Sequence, residues 1–228
     1  MPTATPHPIQ AVIFDMDGLL LDTEGLYTEA TQLIAQRYGK TFGWDIKQHT
    51  IGLGKVPLVT YLLQALDLPL GMDEFLTMRE PLLRERFVKA DAMPGAEALV
   101  RHLKRHGVPI AVATSSSLDY FELKTTRHKD WFALFDAIVT PDDPEVGAAK
   151  PAPDLFQVAA RRIGADPAHT LAFEDSPFGV QAAVAAGMRV IAVPDPAMPR
   201  ARYTLASGIL SSLTELDLAA WGLPELTA

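Results

Sequence analysis

Apolar and polar positions fall into two textures along this chain. Runs of apolar residues of strand length stand at 11–14, 108–113, 171–173 and 189–193, with weaker ones at 136–139 and, at an edge, 208–213. Between them, apolar residues recur every three or four positions, the spacing of one buried helix face. This predicts helices over 96–106 closed by Gly107, 118–129, 154–163 closed by Gly164, and from Ser176 to Ala186 with Gly187 behind. Strands alternating with helices imply right-handed crossovers and a mostly parallel sheet. Unbroken apolar runs imply strands buried on both faces.

Residues 23–91 interrupt that alternation with helical periodicity alone. Tyr27, Ala30, Leu33, Ile34 and Tyr38 precede a stop at Gly39. Residues 58–66 form a second candidate with Pro57 in its first turn, and 73–89 a third, with Asp73 as N-cap and Pro81 as a kink. The expected architecture is α/β: a doubly wound, mostly parallel, Rossmann-like sheet core built from residues 1–21 and 93–228, with an all-helical cap domain, 22–92, inserted after the first strand.

Ligands of such sheets bind beyond the carboxyl ends of the strands, and three strands here end in chemistry. The first ends in Asp15 and Asp17, two apart and therefore expected to face one side, with Gly18 letting the chain turn. Two negative charges about 4 Å apart repel by roughly 4 kcal/mol at an effective dielectric of about 20, so a cation or a catalytic task is expected beside them. The second ends in Thr114-Ser115-Ser116-Ser117 and another in Glu174-Asp175-Ser176.

A phosphate monoester set against these ends gives each residue a task. Asp15 is the candidate nucleophile, forming an aspartyl-phosphate. Asp17 is the candidate acid and base, for the leaving oxygen and then for water. The Thr114 hydroxyl and the segment of Ser115 and Ser116 would cradle phosphate oxygens, and Lys150 would neutralise the transferring group. Lys150 lies in a segment, 148–154, expected to be held extended by Pro151 and Pro153. So many carboxylates beside a dianion require a metal, and oxygen-only ligands suit magnesium. Its expected ligands are Asp15, the backbone carbonyl of Asp17 and Asp175, with Glu174 as a fourth ligand or a supporting partner. In the cap, Gly52 and Lys55 of the loop 52–55 and Glu24 are candidate substrate contacts; this loop lacks the spacing of a P-loop. Singly, each feature has a plainer role: an acidic turn, a strand-end loop, a solvated lysine, a helix cap. Their joint order, each at a strand end, favours the chemical reading.

Composition narrows the partners. A formal charge of -8 without a basic cluster excludes a nucleic-acid polymer as partner, and no stretch approaches a membrane span of about 20 apolar residues. The first ten residues read as a Pro-rich tail rather than a secretion signal, and zero cysteines exclude disulfides and thiolate chemistry. The expectation is a cytoplasmic monomer acting on a small phosphate ester. The histidines form no metal set, Trp44, His49 and Trp131 read as packing or surface positions, residues 142–145 as a solvated acidic loop, and Arg127-His128 carry no evident role.

Asp15-Met16-Asp17-Gly18, then Thr114, Lys150 and Glu174-Asp175, resemble the four signature motifs of the haloacid dehalogenase superfamily of phosphatases and phosphomutases. Phe14 to Glu24 (FDMDGLLLDTE), Phe121 to His128 (FELKTTRH), Asp142 to Val146 (DDPEV) and Val193 to Pro196 (VPDP) resemble a narrower group that contains pseudouridine 5'-phosphate phosphatase and plant glycerol-3-phosphate phosphatases. The resemblance implies a helical-cap phosphatase. Relatives that act as sugar-phosphate mutases, such as β-phosphoglucomutase, place a cap histidine where this chain has Tyr27 and a lysine near Leu82. Those two departures favour transfer to water over a phosphomutase. Ala149 stands where many of the narrower group have glycine. A non-catalytic phospho-acceptor module is the third reading, and a cap of this size argues against it.

Overall fold

The computed structural model describes residues 8–225, so most of the expected Pro-rich tail lies outside the described residues. In chain order the elements are β1 (Ala11–Phe14), β2 (Leu21–Asp22), α1 (Glu24–Arg37), α2 (Trp44–Lys47), α3 (Lys55–Ala65), α4 (Met72–Phe87), β3 (Asp91–Ala92), α5 (Ala96–Arg105), β4 (Ile110–Ala113), α6 (Leu118–Lys124), α7 (Lys129–Phe132), β5 (Ala137–Val139), α8 (Asp154–Arg162), β6 (Thr170–Glu174), α9 (Pro177–Ala185), β7 (Arg189–Ala192) and β8 (Gly208–Ile209).

Six strands form one sheet in the order β5-β4-β1-β6-β7-β8, every neighbouring pair parallel. The chain winds outward from β1 to β4 and β5, then crosses back to β6 on the other side. The carboxyl end of β1 is thus a switch point, where such sheets open a crevice. Side-chain alternation explains the two layers. Val12 and Phe14 face a core with Leu99, Val100 and Leu103 of α5, whereas Ile13 faces one with Phe156 of α8 and Ala183 of α9. Phe14 stacks on Phe173 of the neighbouring strand, ring centroids 5.2 Å apart. Each large apolar side chain so buried stabilises the fold by about 1.5–3 kcal/mol.

Helices α1, α3 and α4 pack on one another through Ile34, Val59, Leu62 and Phe75, a cluster separate from the two sheet layers. The two chain crossings between this helical segment and the sheet pair as the antiparallel strands β2 and β3, Leu21 opposite Ala92 and Asp22 opposite Asp91. Neither strand was visible as a pattern, since two residues are too few to show a period. Among the described residues, no helix is long and apolar enough to cross a membrane.

Several local expectations change. The helix over 118–129 ends at Lys124, and α7 begins only at Lys129. Thr125 and Thr126 turn their hydroxyls back onto the carbonyls of Phe121 and Glu122, competing with helix continuation. The break frees Arg127 to donate to Lys89 O and Asp91 Oδ1, while His128 Nε2 meets Ala90 O at 2.8 Å. Arg127-His128, without a role in the sequence, therefore brace the return crossing. Asp73 is not the N-cap of α4; Gly71 is, and Asp73 places its charge in the first turn. Pro81 lies inside α4 without ending it. Residues 150–153 are a turn rather than an extended segment, with Ala152 N–H donating to Ala149 O at 3.0 Å. A proline's fixed φ suits a turn as well as an extended chain. The acidic loop is tied down: Asp143 pairs with Arg162, Glu145 with Arg161 and Arg162, and Asp142 accepts from Leu118 N–H. Trp131 is fully buried in the core.

Candidate active site

Strand register assembles the centre. Phe14 lies opposite Phe173, so the residues that follow, Asp15 and Glu174, leave adjacent strands side by side. Lys150, brought in by the turn before α8, bridges them: its Nζ donates to Asp15 Oδ1 and Glu174 Oε1, both at 2.6 Å, and to Ala113 O at 2.8 Å. All three side chains are buried. Lys150 opposes burial through its two carboxylate partners, which hold its pKa above the usual lysine value. For Asp15 burial wins, despite Lys150, and pushes the carboxyl up to about 7.

Glu174 is also held by Ser176, whose N–H and Oγ both donate to Oε2 at 3.1 Å. The first turn of α9 passes so close that a Cβ on Gly179 would stand 1.8 Å from Glu174 Oε1. Gly18, at φ +77°, plays the same part opposite Asp175, where a Cβ would come 2.5 Å from Oδ2. Asp175 is buried with its carboxyl raised well above the ordinary range, by desolvation first and then by Glu174 and Asp15. Asp15, Glu174 and Asp175 each offer an oxygen within 4.8 Å of the others. A carboxylate trio of this density, with a single lysine at one side, fits a hard divalent cation.

Asp17 shares the site with Asp15 but is held by different partners. The strand ends at Phe14, so alternation no longer sets its direction. Both aspartates line one small cavity of about 60 Å³, with Glu24, Gly52, Ser115, Lys150, Asp175 and Ser176, yet each has its own lysine. Asp17 accepts from Lys124 Nζ at 2.5 Å, Thr23 Oγ at 2.6 Å and Ser116 Oγ at 2.8 Å. Burial opposes the charge on Asp17, but Lys124 and these donors hold its carboxyl below the ordinary value. Its carboxylate is not part of the trio, leaving only its backbone carbonyl for the expected metal role.

Lys124 was missed in the sequence. Its side chain is fully buried, donates also to Ser116 Oγ and Tyr27 OH, and sits 4.4 Å from the Phe87 ring centroid. Tyr27, at the position of the expected mutase histidine, is thus engaged with a lysine. Thr114 is fully buried, its Oγ accepting from Ser116 N–H at 3.0 Å, and it lines neither cavity described here. Ser115 lines both the small cavity and a second one of about 670 Å³ to which α1, α3 and α4 contribute, and Ser116 lines the second alone. Gly52, Lys55 and Glu24 line that larger space, Glu24 with Lys47 3.9 Å away.

Comparison with known proteins bears on this geometry. A family model described as haloacid dehalogenase-like hydrolase matches residues 9–187. The chain is 44% identical over 222 residues to (DL)-glycerol-3-phosphatase 1, mitochondrial, of Arabidopsis thaliana, covering 95% of this chain and 74% of that one. It is also 44% identical to a Drosophila melanogaster protein named "Probable pseudouridine-5'-phosphatase", over 94% of both chains. Among solved structures, a HAD family hydrolase from Deinococcus radiodurans, with bound phosphate and sodium, superposes with a TM-score of 0.79 at 30% identity, over 95% of this chain and 98% of that one.

Proposed function

This chain belongs to the haloacid dehalogenase-like hydrolases and is a phosphatase, and from that premise we propose a magnesium-dependent phosphomonoesterase working through phospho-Asp15. The observation that carries the reading is the Lys150 bridge, which holds Asp15 and Glu174 together at the mouth of β1. In this reading residues 22–92 are a cap over a core of residues 1–21 and 93–228.

The ester phosphate occupies the small cavity. An Asp15 carboxylate oxygen attacks phosphorus as the ester oxygen leaves, and Asp17 gives that oxygen its proton. Lys124 keeps Asp17 ionised at rest; the arriving dianion raises its proton affinity. Water then attacks phospho-Asp15, Asp17 takes the water's proton, and Asp15 is released with inorganic phosphate. Lys150 neutralises charge building on the phosphoryl oxygens. Magnesium would be held by Asp15, the backbone carbonyl of Asp17 and Asp175 with Glu174 in support, and would supply electrostatic stabilisation of the dianion. Ser115 and the loop bearing Gly52 and Lys55 flank the passage to the larger cavity, where the leaving group lies. Substrates of the kind named for the relatives, glycerol 3-phosphate and pseudouridine 5'-phosphate, belong in the first panel to be assayed. Release of inorganic phosphate from such a panel, abolished by EDTA and restored by magnesium, supports the proposal; undiminished turnover in metal-free buffer overturns its metal role.

A further inference from the structure

Among the charges that line the larger cavity, Arg79 is one that the mechanism above does not use. Arg79 stands on α4 and is only 7% exposed, and it lines the cavity. Its Nε–H is buried without a hydrogen-bond partner. Its guanidinium sits 5.3 Å from the centroid of the Tyr27 ring, the same ring that Lys124 contacts from 4.8 Å. Arg79 and the ammonium that holds Asp17 therefore lie beside the same aromatic ring, a separation that a short carbon skeleton spans.

Most neighbouring charges are already matched, the exposed Lys55 at the cavity wall excepted. Lys124 holds Asp17, Lys47 lies by Glu24, and Arg84 takes both Glu80 and Asp119. Arg79 has no ion pair among the described residues. Burial pulls its pKa down from the ordinary arginine value. Glu24 and Glu80 offset part of this from beyond salt-bridge distance. A buried cation without a direct ion pair is destabilising, and a guanidinium offers a planar fork suited to an oxyanion. Helix packing alone would favour a leucine here, because Phe75, Leu83 and Phe87 fill the other positions of the same stripe.

We propose that Arg79 recognises an oxyanion on the leaving group, so that the preferred substrate is a phosphate monoester whose alcohol carries a carboxylate or a second phosphate. This rests on the phosphomonoesterase reading above. The ester phosphate occupies the small cavity and the second anion meets Arg79 in the larger one.

Two matched pairs test this: 3-phosphoglycerate against glycerol 3-phosphate, for a carboxylate, and fructose 1,6-bisphosphate against fructose 6-phosphate, for a phosphate. The native enzyme is expected to favour the charged member of at least one pair in kcat/KM. Arg79→Met should lower that member about 30-fold and its neutral partner at most about 3-fold, with Arg79→Lys in between. The pair that responds identifies the anion. Because the variant removes an unpaired buried charge, its ligand-free melting temperature should hold or rise. Equal losses for both members, no preference for either charged ester, or a melting temperature several degrees lower with uniform loss would each overturn the inference. Phenyl phosphate separates the two levels of the account. If the native enzyme turns it over while the pair ratios ignore Arg79, only the inference falls; if it is inert along with every ester, the hydrolase reading falls first and takes the inference with it.

Discussion

The small cavity of about 60 Å³ is walled by residues that follow β1, β4 and β6, with Lys150, Glu24 and Gly52, and the large one of about 670 Å³ by side chains of α1, α3 and α4 together with the loops around them. In the first, backbone register fixes positions: once Phe14 pairs with Phe173, Asp15 must lie beside Glu174. In the second, positions follow from how three helices pack, and a change at Phe75 or Leu62 would move the wall. The difference teaches where each kind of function is written. In the proposed reading, reaction chemistry sits at the strand ends of the sheet, and choice of leaving group sits on the helices.

Substitutions can break this comparison, starting with the sheet side. Asp15→Asn should cut turnover of phenyl phosphate by at least about four orders of magnitude while the melting curve keeps its cooperative form; near-native rates would contradict the assignment. Asp175→Asn should lose most magnesium-dependent activity, read as a much higher magnesium concentration for half-maximal rate. Lys124→Met leaves Asp17 without its cation, and kcat should fall about 100-fold with KM little altered. A rise in KM alone would place Lys124 with the leaving-group contacts instead.

Smaller effects sharpen the contrast through stability. Gly179→Ala forces a Cβ into the Glu174 carboxylate, and the cost should be about 1–3 kcal/mol in denaturant unfolding. An unchanged midpoint would mean that α9 shifts freely. Far from both cavities, Asp136 accepts from Ile110 N–H and pairs with Lys104. Burial opposes its charge, yet Lys104 and Ile110 hold its carboxyl below 3.8. A depressed pKa contributes stability that is present above about 3.9, the unfolded value, and is lost as pH falls through the lower folded one. Asp136→Asn should therefore cost about 0.5–1 kcal/mol at neutral pH, screened as an exposed pair is, and progressively less as pH falls through the depressed folded pKa.

The same contrast explains what the sequence disclosed. Asp15, Glu174 and Asp175 were legible because apolar runs mark strands and strand ends mark the crevice; Lys150, on the turn before α8, was legible only through the motif it resembles. Lys124 was hidden inside an apparently continuous helix, where a lysine reads as solvated; only its place in the FELKTTRH segment hinted at more. Arg79 did leave a signal, a lone cation in a stripe of Phe75, Leu83 and Phe87 spaced by four. It could be weighed only once α1 was known to cover that face with Tyr27. Asp17 does share a cavity with Asp15, as the spacing suggested, but its own lysine, Lys124, was not legible.

The account stands on Asp15 as the atom donor to phosphorus. Rapid acid quenching of the enzyme during turnover of a radiolabelled phosphate ester, followed by peptide mapping, addresses it directly. Label on the peptide containing Asp15, absent from Asp15→Asn, is the expected result. Turnover that leaves no label there, or places it on Ser115 or Thr114, would contradict the account.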